Sequence, residues 1–507
     1  MKRHPSNSIR SAFGPTVAIL VAATLVACSE STSPPRPSSV APDAATATEG
    51  TAGTVLSPAP SIVVKDQNGN ILGGVPITVT VTSGGGTLAN PATTTVAGGP
   101  TSLGQFTLGQ VAGPNVLTVT VGDLTPLVIS IAGKAGPPVS MVFIFGANVT
   151  ALAGATLSPQ PVVQVRDQFG NGVPGIAVTF SVVDGEGSAG FAAVTTNASG
   201  NATAPQWRLG KTAIPQALRA TAGALTATAF AVIQTDYNID LRFVGPPMPL
   251  AAQDAFIRAA ARIRGSVVGD LPSVSAGAGQ DLAGCGLPGT VLSGIIDDIV
   301  IYASVQPIDG PGRVLARGGP CFIRDPGRQT IVGSMTFDSE DIQPLIDNGR
   351  FRDVVTHEMF HIVGIGTLWP TFGVIAGAGT AETRFTGSLG VAACVAMGGA
   401  AACPGSIPVE NTGGAGTADG HWRESVFDTE MMTGFVDATN PLSIMSIQSL
   451  ADLGYATNQS AADSYAIPGL SARGSGDIPD SPPLWETVEK PKFFMTNGGR
   501  LTPVPKR

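Results

Sequence analysis

The segment VVTHEMFHIVGIGT spans residues 354–367 and carries two of the four histidines of the chain. His357 and His361 are four positions apart, and Glu358 directly follows the first. In a helix, positions i and i+4 lie on one face about 5–6 Å apart at Cβ, so both imidazoles can bind one metal ion. Glu358 is turned by about 100° from that face, which directs it to a water molecule beside the metal. The segment therefore predicts a zinc site with a general base.

The residues around this motif predict a helix and an incomplete ligand set. Apolar periodicity runs from 351 to 363 and stops at Gly364, as expected for a helix end. Catalytic zinc usually has three protein ligands and one open position. The pattern HExxHxxGxxH would place the third histidine at position 367, but this chain has Thr367 there. The third ligand must therefore come from another part of the chain.

His421 is the candidate for the third ligand. The only other histidine in the sequence is His4, which lies in an N-terminal segment that resembles an export signal and is expected to be removed. His421 lies in the run DGHWRE, which begins at residue 419. A carboxylate ligand is the alternative, and it would require Glu382 or Glu410. Met432 follows in the run DTEMMT, where Met431 competes with it for the same structural role. Spacing favours the second methionine.

With these motifs, the chain from about residue 236 to residue 470 resembles leishmanolysin-type metzincin proteases. In that family an insertion separates the zinc-binding helix from the third histidine, and the methionine of the Met-turn follows. The resemblance implies one catalytic zinc ion, protein or peptide substrates and the following roles: His357, His361 and His421 as metal ligands, Glu358 as catalytic base, Gly364 as the residue that ends the helix, and Met432 in the Met-turn.

The N-terminal residues predict export. A basic start is followed by an apolar run from Thr16 to Ala27, and Cys28 comes next. This resembles a bacterial lipoprotein signal, which implies cleavage before Cys28, lipidation of its thiol and attachment to a membrane. Ser29 favours the outer membrane or cell surface. The alternative is an ordinary secretory signal with an incidental cysteine.

A duplicated domain follows the export signal. VVKDQNGN, from residue 63, recurs as VRDQFGN, and QFTLG at 105 recurs as QWRLG at 206, with both offsets equal to 101 residues. Short alternating runs separated by Gly, Asn and Pro predict antiparallel β-sandwiches. The copies resemble bacterial immunoglobulin-like domains of the invasin and intimin type. That resemblance implies spacers, and direct ligand binding is the alternative.

The chain is therefore expected to be multidomain, with two all-β immunoglobulin-like sandwiches followed by an α+β metzincin-type domain. In the last domain we expect strands at 239–243, 298–305 and 331–337, and a helix over 250–271. The predicted divisions are a signal peptide (1–27), a Ser/Thr/Pro-rich linker (28–50), two immunoglobulin-like domains (51–134 and 135–235), a protease domain (236–470) and a Pro-rich C-terminal tail (471–507).

An exported protein favours disulfides, and Cys285, Cys321, Cys394 and Cys403 form an even set. Three pairings are possible, and order along the chain favours 285–321 with 394–403. Metzincins can be held latent by a propeptide cysteine on zinc. Because lipidation and disulfides account for every cysteine here, we expect no cysteine switch.

Composition limits the possible functions. The formal net charge is −8 and charged residues make up only 13% of the chain, so no basic surface for a nucleic acid is expected. The sequence favours an exported, surface-anchored zinc endopeptidase. The alternative from another class is a surface adhesin with a non-catalytic metalloprotease-like domain. Within enzymes, hydrolysis of a bond other than the peptide bond also stays open.

Overall fold

The computed structural model describes residues 34–277, 279–414, 416–468 and 483–505. The predicted signal peptide and Cys28 lie outside these ranges. The chain separates into two compact units, Met1–Lys134 and Ala135–Arg507. In the described part of the chain, no helix is long and apolar enough to cross a membrane.

The first unit is a β-sandwich. One sheet has the order β1-β3-β6, another has the order β2-β9-β8-β4, and β5 pairs with β7. Its described strands are β1 (Pro37–Pro42), β2 (Glu49–Thr51), β3 (Ser61–Asp66), β4 (Ile77–Ser83), β5 (Thr87–Ala89), β6 (Thr101–Ser102), β7 (Gln105–Thr107), β8 (Gly113–Val121) and β9 (Leu127–Lys134). The alternation is clear in β8, where Leu117, Val119 and Val121 are buried and the residues between them are more exposed.

The predicted linker, 28–50, is partly wrong. Strand β1 pairs with β3 through Val40 and Val64, and β2 pairs with β9. The sandwich therefore begins by Pro37 rather than at residue 51. The Pro- and Ser-rich composition misled the prediction, because proline is compatible with an edge strand such as β1.

The second sandwich repeats the architecture of the first. Its sheets have the orders β10-β12-β15 and β11-β17-β16-β13-β14. Its described strands are β10 (Ser140–Phe145), β11 (Asn148–Ala151), β12 (Val162–Arg166), β13 (Ala177–Asp184), β14 (Val194–Thr195), β15 (Asn201–Thr203), β16 (Gln216–Ala222) and β17 (Leu225–Ile233).

The duplicated motifs form equivalent structures in the two sandwiches. Asp66 accepts hydrogen bonds from the amides of residues 68 and 70, and Asp167 accepts them from residues 169 and 171. Phe106 and Trp207, which are also 101 residues apart, are both fully buried. The repeat in the sequence is thus a repeat of the fold.

The remaining elements form a mixed α and β domain, which confirms the predicted fold class. Its described strands are β18 (Ile239–Phe243), β19 (Val274–Ser275), β20 (Gln280–Asp281), β21 (Val291–Leu292), β22 (Ile295–Ile296), β23 (Ile299–Gln306), β24 (Ala316–Asp325), β25 (Thr330–Asp338), β26 (Ile375–Ala376), β27 (Arg384–Phe385), β28 (Ile407–Pro408), β29 (Glu486–Val488), β30 (Phe493–Thr496) and β31 (Leu501–Pro503). Its described α-helices are α1 (Leu250–Ser266), α2 (Ile342–Asp347), α3 (Phe351–Val363), α4 (Trp369–Phe372), α5 (Ser388–Cys394), α6 (Glu424–Phe427) and α7 (Ile444–Ala451).

The central sheet has the order β18-β23-β25-β24, followed by β30 and β31. Strands β18, β23 and β25 are mutually parallel, whereas β24 runs antiparallel to β25. The outer edge of β24 pairs with β29 along residues 316–318 and with β30 along residues 322–325. This edge lies beside the candidate site.

Helix α3 has the predicted bounds, and α1 ends at Ser266, earlier than predicted. Every residue of α3 from Val354 onward is buried, so the helix is covered on all sides by protein. The helix ends at Gly364, whose φ of 139° is unfavourable for other residues. A Cβ at this position would lie 2.7 Å from Cδ1 of Leu368.

The predicted tail, 471–507, is not separate from the domain over its described part. Strands β29, β30 and β31 all belong to the central sheet. Met495 in β30 is fully buried. Polar and proline-rich flanks hid the short apolar run that forms β30.

The two expected disulfides are confirmed. Cys285 pairs with Cys321 and Cys394 pairs with Cys403, with Cα–Cα distances of 5.6 Å and 6.3 Å. The first connects a short 3₁₀ turn to β24, and the second lies at the end of α5. The predicted order of pairing was therefore correct.

The second sandwich packs closely on the mixed domain. The buried Asn458 side chain donates hydrogen bonds to the carbonyls of Ala153 in the sandwich, at 2.8 Å, and of Gly265 in α1, at 3.0 Å. Lys211 of the sandwich forms an ion pair with Asp463. These contacts differ from the expected role of a simple spacer, because they join the two domains into one compact unit.

Replacement of Asn458 tests this coupling. We expect Asn458→Ala to lower the free energy of unfolding of the second unit by about 1–3 kcal/mol, because two buried carbonyls lose their donor. The change would be measured by urea unfolding, with amide hydrogen exchange as the probe of the folded second unit.

Asn148→Ala is the matched control, since Asn148 is exposed on β11, and its effect should stay below about 0.5 kcal/mol. Equal effects of the two variants would contradict a structural role for the Asn458 contacts.

Candidate metal centre

Helix α3 places the first two predicted ligands side by side. His357 and His361 are both buried, and their Nε2 atoms lie 2.9 Å apart. The two rings meet edge to face, with an interplanar angle of 75°. The spacing of one helical turn therefore brings the two nitrogens to one point, as the sequence predicted.

His421 reaches the same point from the loop before α6. Its Nε2 lies 3.0 Å from Nε2 of His357 and 3.0 Å from Nε2 of His361. Its side chain is fully buried. The structure thus brings all three predicted histidines together although the third is remote in sequence.

Backbone carbonyls orient all three rings. The Nδ1 atom of His357 lies 2.7 Å from the carbonyl oxygen of Met431, that of His361 lies 2.8 Å from Ile365, and that of His421 lies 2.8 Å from Thr417. Each Nδ1 therefore donates a hydrogen, and each Nε2 is left with a lone pair.

Three convergent lone pairs repel one another unless a cation lies between them. Nδ1–H bonds of this kind are the usual outer support of metal-binding histidines. Three histidines are also a known ligand set for catalytic zinc. The residues present therefore fit a zinc ion.

Gly364 and Thr367 support this arrangement without binding metal. The turn at Gly364 directs the Ile365 carbonyl back to His361. The hydroxyl of Thr367 donates to the backbone oxygen of His361 at 2.6 Å. Thr367, at the position where the pattern HExxHxxGxxH has its third histidine, thus stabilises the C-terminal end of α3 through this hydrogen bond.

The predicted Met-turn contacts His357 through the backbone of Met431. Met432 is fully buried, and its carbonyl accepts a hydrogen bond from the Trp422 amide at 2.9 Å. Met431 contributes its carbonyl to His357. Both methionines therefore belong to the turn, with Met431 acting through its backbone.

Glu430 holds this turn in place. Its buried carboxylate accepts hydrogen bonds from the Met432 amide at 2.7 Å, the Ser443 amide at 3.0 Å and the Ser446 hydroxyl at 2.6 Å. Trp422 donates to the same hydroxyl at 2.7 Å. Burial raises the pKa of Glu430, and the serine and amide donors oppose this effect.

Glu358, the predicted base, is completely buried beside β24. Its carboxyl is within hydrogen-bond reach of a second buried carboxyl, that of Glu486. A Cβ on Gly318 would lie 2.8 Å from Oε2 of Glu358, so glycine leaves room for the carboxylate. Burial, and next the nearby Glu486, raise the pKa of Glu358. A cation in the site would counter both effects.

The structure adds a residue that the sequence analysis missed. Oε1 of Glu486, in β29, lies 2.6 Å from Nε2 of His421. The same oxygen is 3.5 Å from Nε2 of His357 and 3.8 Å from Nε2 of His361. Burial opposes the charge of Glu486, but His421 and His357 outweigh it and lower the pKa of this carboxyl. Together the four side chains form a cluster able to hold a metal ion.

The two carboxylates considered as alternative ligands have other positions. Glu410 accepts hydrogen bonds from Thr412 and from the Glu424 amide, which anchors its loop. Glu382 is exposed and forms an ion pair with Arg384. The sequence signal for Glu486 was limited to the run LWETV, residues 484–488, whose aromatic and β-branched residues suit a short strand.

A cleft of about 740 Å³ lies between the second sandwich and the mixed domain. Glu186 and Arg208 line it from the sandwich, and Thr356 and Met431 line it from the other side. Thr356 precedes His357 in α3. The second sandwich therefore shares this cleft with the start of α3, and none of the three histidines or Glu486 is among the described residues that line it.

Comparison with known proteins supports the resemblance to leishmanolysin. The family model Peptidase_M8, described as leishmanolysin, matches residues 287–468. This span contains the three histidines, Glu358 and Met432. The match supports a metalloprotease, and the family is zinc-dependent.

Among solved structures, the D0-D1 domain of intimin is 18% identical, covers 38% of this chain and 95% of its own, and has a TM-score of 0.17. FdeC, an Escherichia coli adhesin, is 20% identical, covers 36% of this chain and 62% of its own, and has a TM-score of 0.25. Invasin, a bacterial integrin-binding protein, is 14% identical, covers 42% and 40%, and has a TM-score of 0.19. No curated protein matches the sequence.

Replacement of Glu430 tests the support of the metal centre. We expect Glu430→Ala to weaken zinc binding by about 10–100-fold, because the turn that orients His357 loses its anchor. Competition with a chromogenic chelator would measure the affinity.

Glu382→Ala removes an exposed carboxylate of the same domain and is the matched control. Its zinc affinity should equal that of the unmodified protein. An unchanged affinity in Glu430→Ala would show that the turn keeps its position without this carboxylate.

Proposed function

We propose that the protein is an exported, surface-anchored zinc endopeptidase. The observation that carries this proposal is the convergence of three Nε2 lone pairs beside the buried carboxylate of Glu358. His357, His361 and His421 hold one zinc ion in this reading. The match of residues 287–468 to the leishmanolysin family supports the same reaction class.

The chain's own residues supply positioning and proton transfer. When bound, zinc supplies Lewis acidity toward a peptide carbonyl and toward water. Glu358 accepts a proton from the attacking water and delivers it to the leaving amine nitrogen. The backbone of β24 lies against Glu358 at Gly318, so a substrate strand along this edge would have its carbonyl next to the base.

Export and anchoring complete the proposal. The signal-like run before Cys28 favours a lipid-anchored protein at the outer membrane or cell surface. Two disulfides suit an oxidising compartment. In this arrangement the first sandwich acts as a spacer, whereas the second sandwich also supports the protease domain.

A surface adhesin is the second candidate function, and the immunoglobulin-like sandwiches favour it. Glu358 opposes it. A fully buried carboxylate beside a second carboxylate is costly to the fold, and binding of a purely structural metal ion would not need it. A base beside the metal ligands is instead what hydrolysis requires.

The isosteric variant Glu358→Gln tests the proposed reaction. We expect equal zinc content and a loss of hydrolysis of about 10²–10⁴-fold, because the amide cannot accept the proton. Cleavage of a fluorescently labelled unfolded protein would be measured alongside bound zinc. The Glu358→Gln substitution should be made both in the unmodified chain and in a Glu486→Ala chain. The second background removes the carboxylate that lies among the three histidines.

Zinc in every variant with cleavage in none would favour the adhesin. Cleavage that survives in Glu358→Gln at the original rate would remove Glu358 from the mechanism. Cleavage that is seen only in the Glu486→Ala background would identify an enzyme whose metal centre is covered by Glu486. Absence of cleavage in both backgrounds would identify a protein without this activity.

A further inference from the structure

Residues 483–492, named here the C-terminal strap, cross the candidate metal centre. At one end, Pro483 pairs with Phe435 and the Leu484 amide donates to the Gly434 carbonyl at 2.9 Å. At the other end, the Lys492 amide donates to the Cys321 carbonyl at 2.9 Å. The strap therefore extends from the segment after the Met-turn to β24.

Within the strap, β29 occupies the edge of β24. It runs parallel to β24, with Glu486 opposite Ala316 and Val488 opposite Gly318. The Leu315 amide donates to the Trp485 carbonyl at 2.6 Å, and the Glu489 amide donates to the Gly318 carbonyl at 2.7 Å. These bonds use the backbone groups that an incoming peptide would need for strand addition.

Two glycines allow the strap to approach closely. A Cβ on Gly319 would lie 2.1 Å from the carbonyl oxygen of Glu489. A Cβ on Gly416 would lie 2.1 Å from the carbonyl oxygen of Glu486. The strap thus lies in a channel between β24 and the loop before His421, and a side chain at either glycine would collide with its backbone.

The Glu486 side chain points into the centre of the three histidines. Its carboxyl is within hydrogen-bond reach of the Glu358 carboxyl, and its Oε1 is 2.6 Å from Nε2 of His421. Because Nδ1 of His421 already faces the Thr417 carbonyl, this contact joins two acceptor atoms if the imidazole is neutral. A proton on His421 would convert only its own contact with Glu486 into a hydrogen bond. A metal ion would accept electron pairs from the three Nε2 atoms and the Glu486 oxygen at once.

We propose that Glu486 is the fourth ligand of the metal and that the strap holds the enzyme latent. This inference rests on the proposed function, because it concerns regulation of the same site. Four protein ligands close a tetrahedral zinc site, and the position that catalysis needs for water and substrate is then filled. Without a water molecule at that position, the peptide bonds of the strap itself are not attacked.

Cobalt substitution tests the ligand set without relying on activity. The full chain, Glu486→Ala and the control Thr487→Ala are loaded with Co²⁺, and their visible spectra are recorded during titration with acetohydroxamate. Thr487 is an exposed neighbour on the same strand. Cleavage of the labelled unfolded protein is measured on the zinc-loaded forms of the three chains.

We expect Glu486→Ala to change the cobalt spectrum and to bind acetohydroxamate at least about tenfold more tightly, because the closed state no longer competes. Cleavage should increase by a similar factor. Thr487→Ala should behave like the unmodified chain. Identical spectra and equal acetohydroxamate affinities in all three chains would overturn the proposal.

A second variant covers the case in which Glu486→Ala does not fold, which circular dichroism would reveal. Gly319→Ala keeps all four ligands but places a methyl group against the strap, so acetohydroxamate should again bind more tightly. Equal binding to Gly319→Ala and the unmodified chain would then count against the strap.

The readouts also separate this inference from the proposed function. The cobalt spectrum could change in Glu486→Ala while none of the chains cleaves protein. That result would support Glu486 as a metal ligand and contradict the proposed endopeptidase activity. Equal cleavage by all three chains would keep the endopeptidase and overturn the latency.

Discussion

The repulsion between three buried imidazole lone pairs is the constraint that the segments around the candidate metal centre must satisfy. Nitrogen atoms 2.9–3.0 Å apart, with their lone pairs directed at one point, are stabilised by a cation between them. The surrounding protein holds them there through three backbone carbonyls. Those carbonyls come from the turn after α3, the loop before His421 and the Met-turn, so each of these segments must keep its position for the site to exist.

The outer edge of β24 is the second organising feature. Gly318 lies against Glu358, the proposed base, and its carbonyl also accepts a hydrogen bond from the Glu489 amide. One short stretch of strand therefore adjoins both the Glu358 carboxylate and the strap. The same strand is joined to a neighbouring turn by the Cys285–Cys321 disulfide, which fastens this part of the sheet.

The sequence predicted those features that local pattern or motif spacing determines. The bounds of α3 follow from apolar periodicity and from Gly364, and His421 followed from the resemblance of its motif. Glu486 was missed because parallel pairing of β29 with β24 joins segments about 170 residues apart, and no local period encodes such a pairing. The contacts of Asn458 with the second sandwich are also long-range, so no local pattern opposed the spacer role that the resemblance to invasin and intimin domains implied.

The strands that follow the strap have a consequence for its proposed role as an inhibitor. Because β30 and β31 continue the central sheet, the Glu486 carboxylate is tethered on its C-terminal side to the same domain that it covers. Its effective concentration at the metal is then set by the length of the intervening chain and does not fall on dilution. A displaced strap would return in a first-order step, so lasting activity would require a change in the covalent chain or a partner that retains the strap.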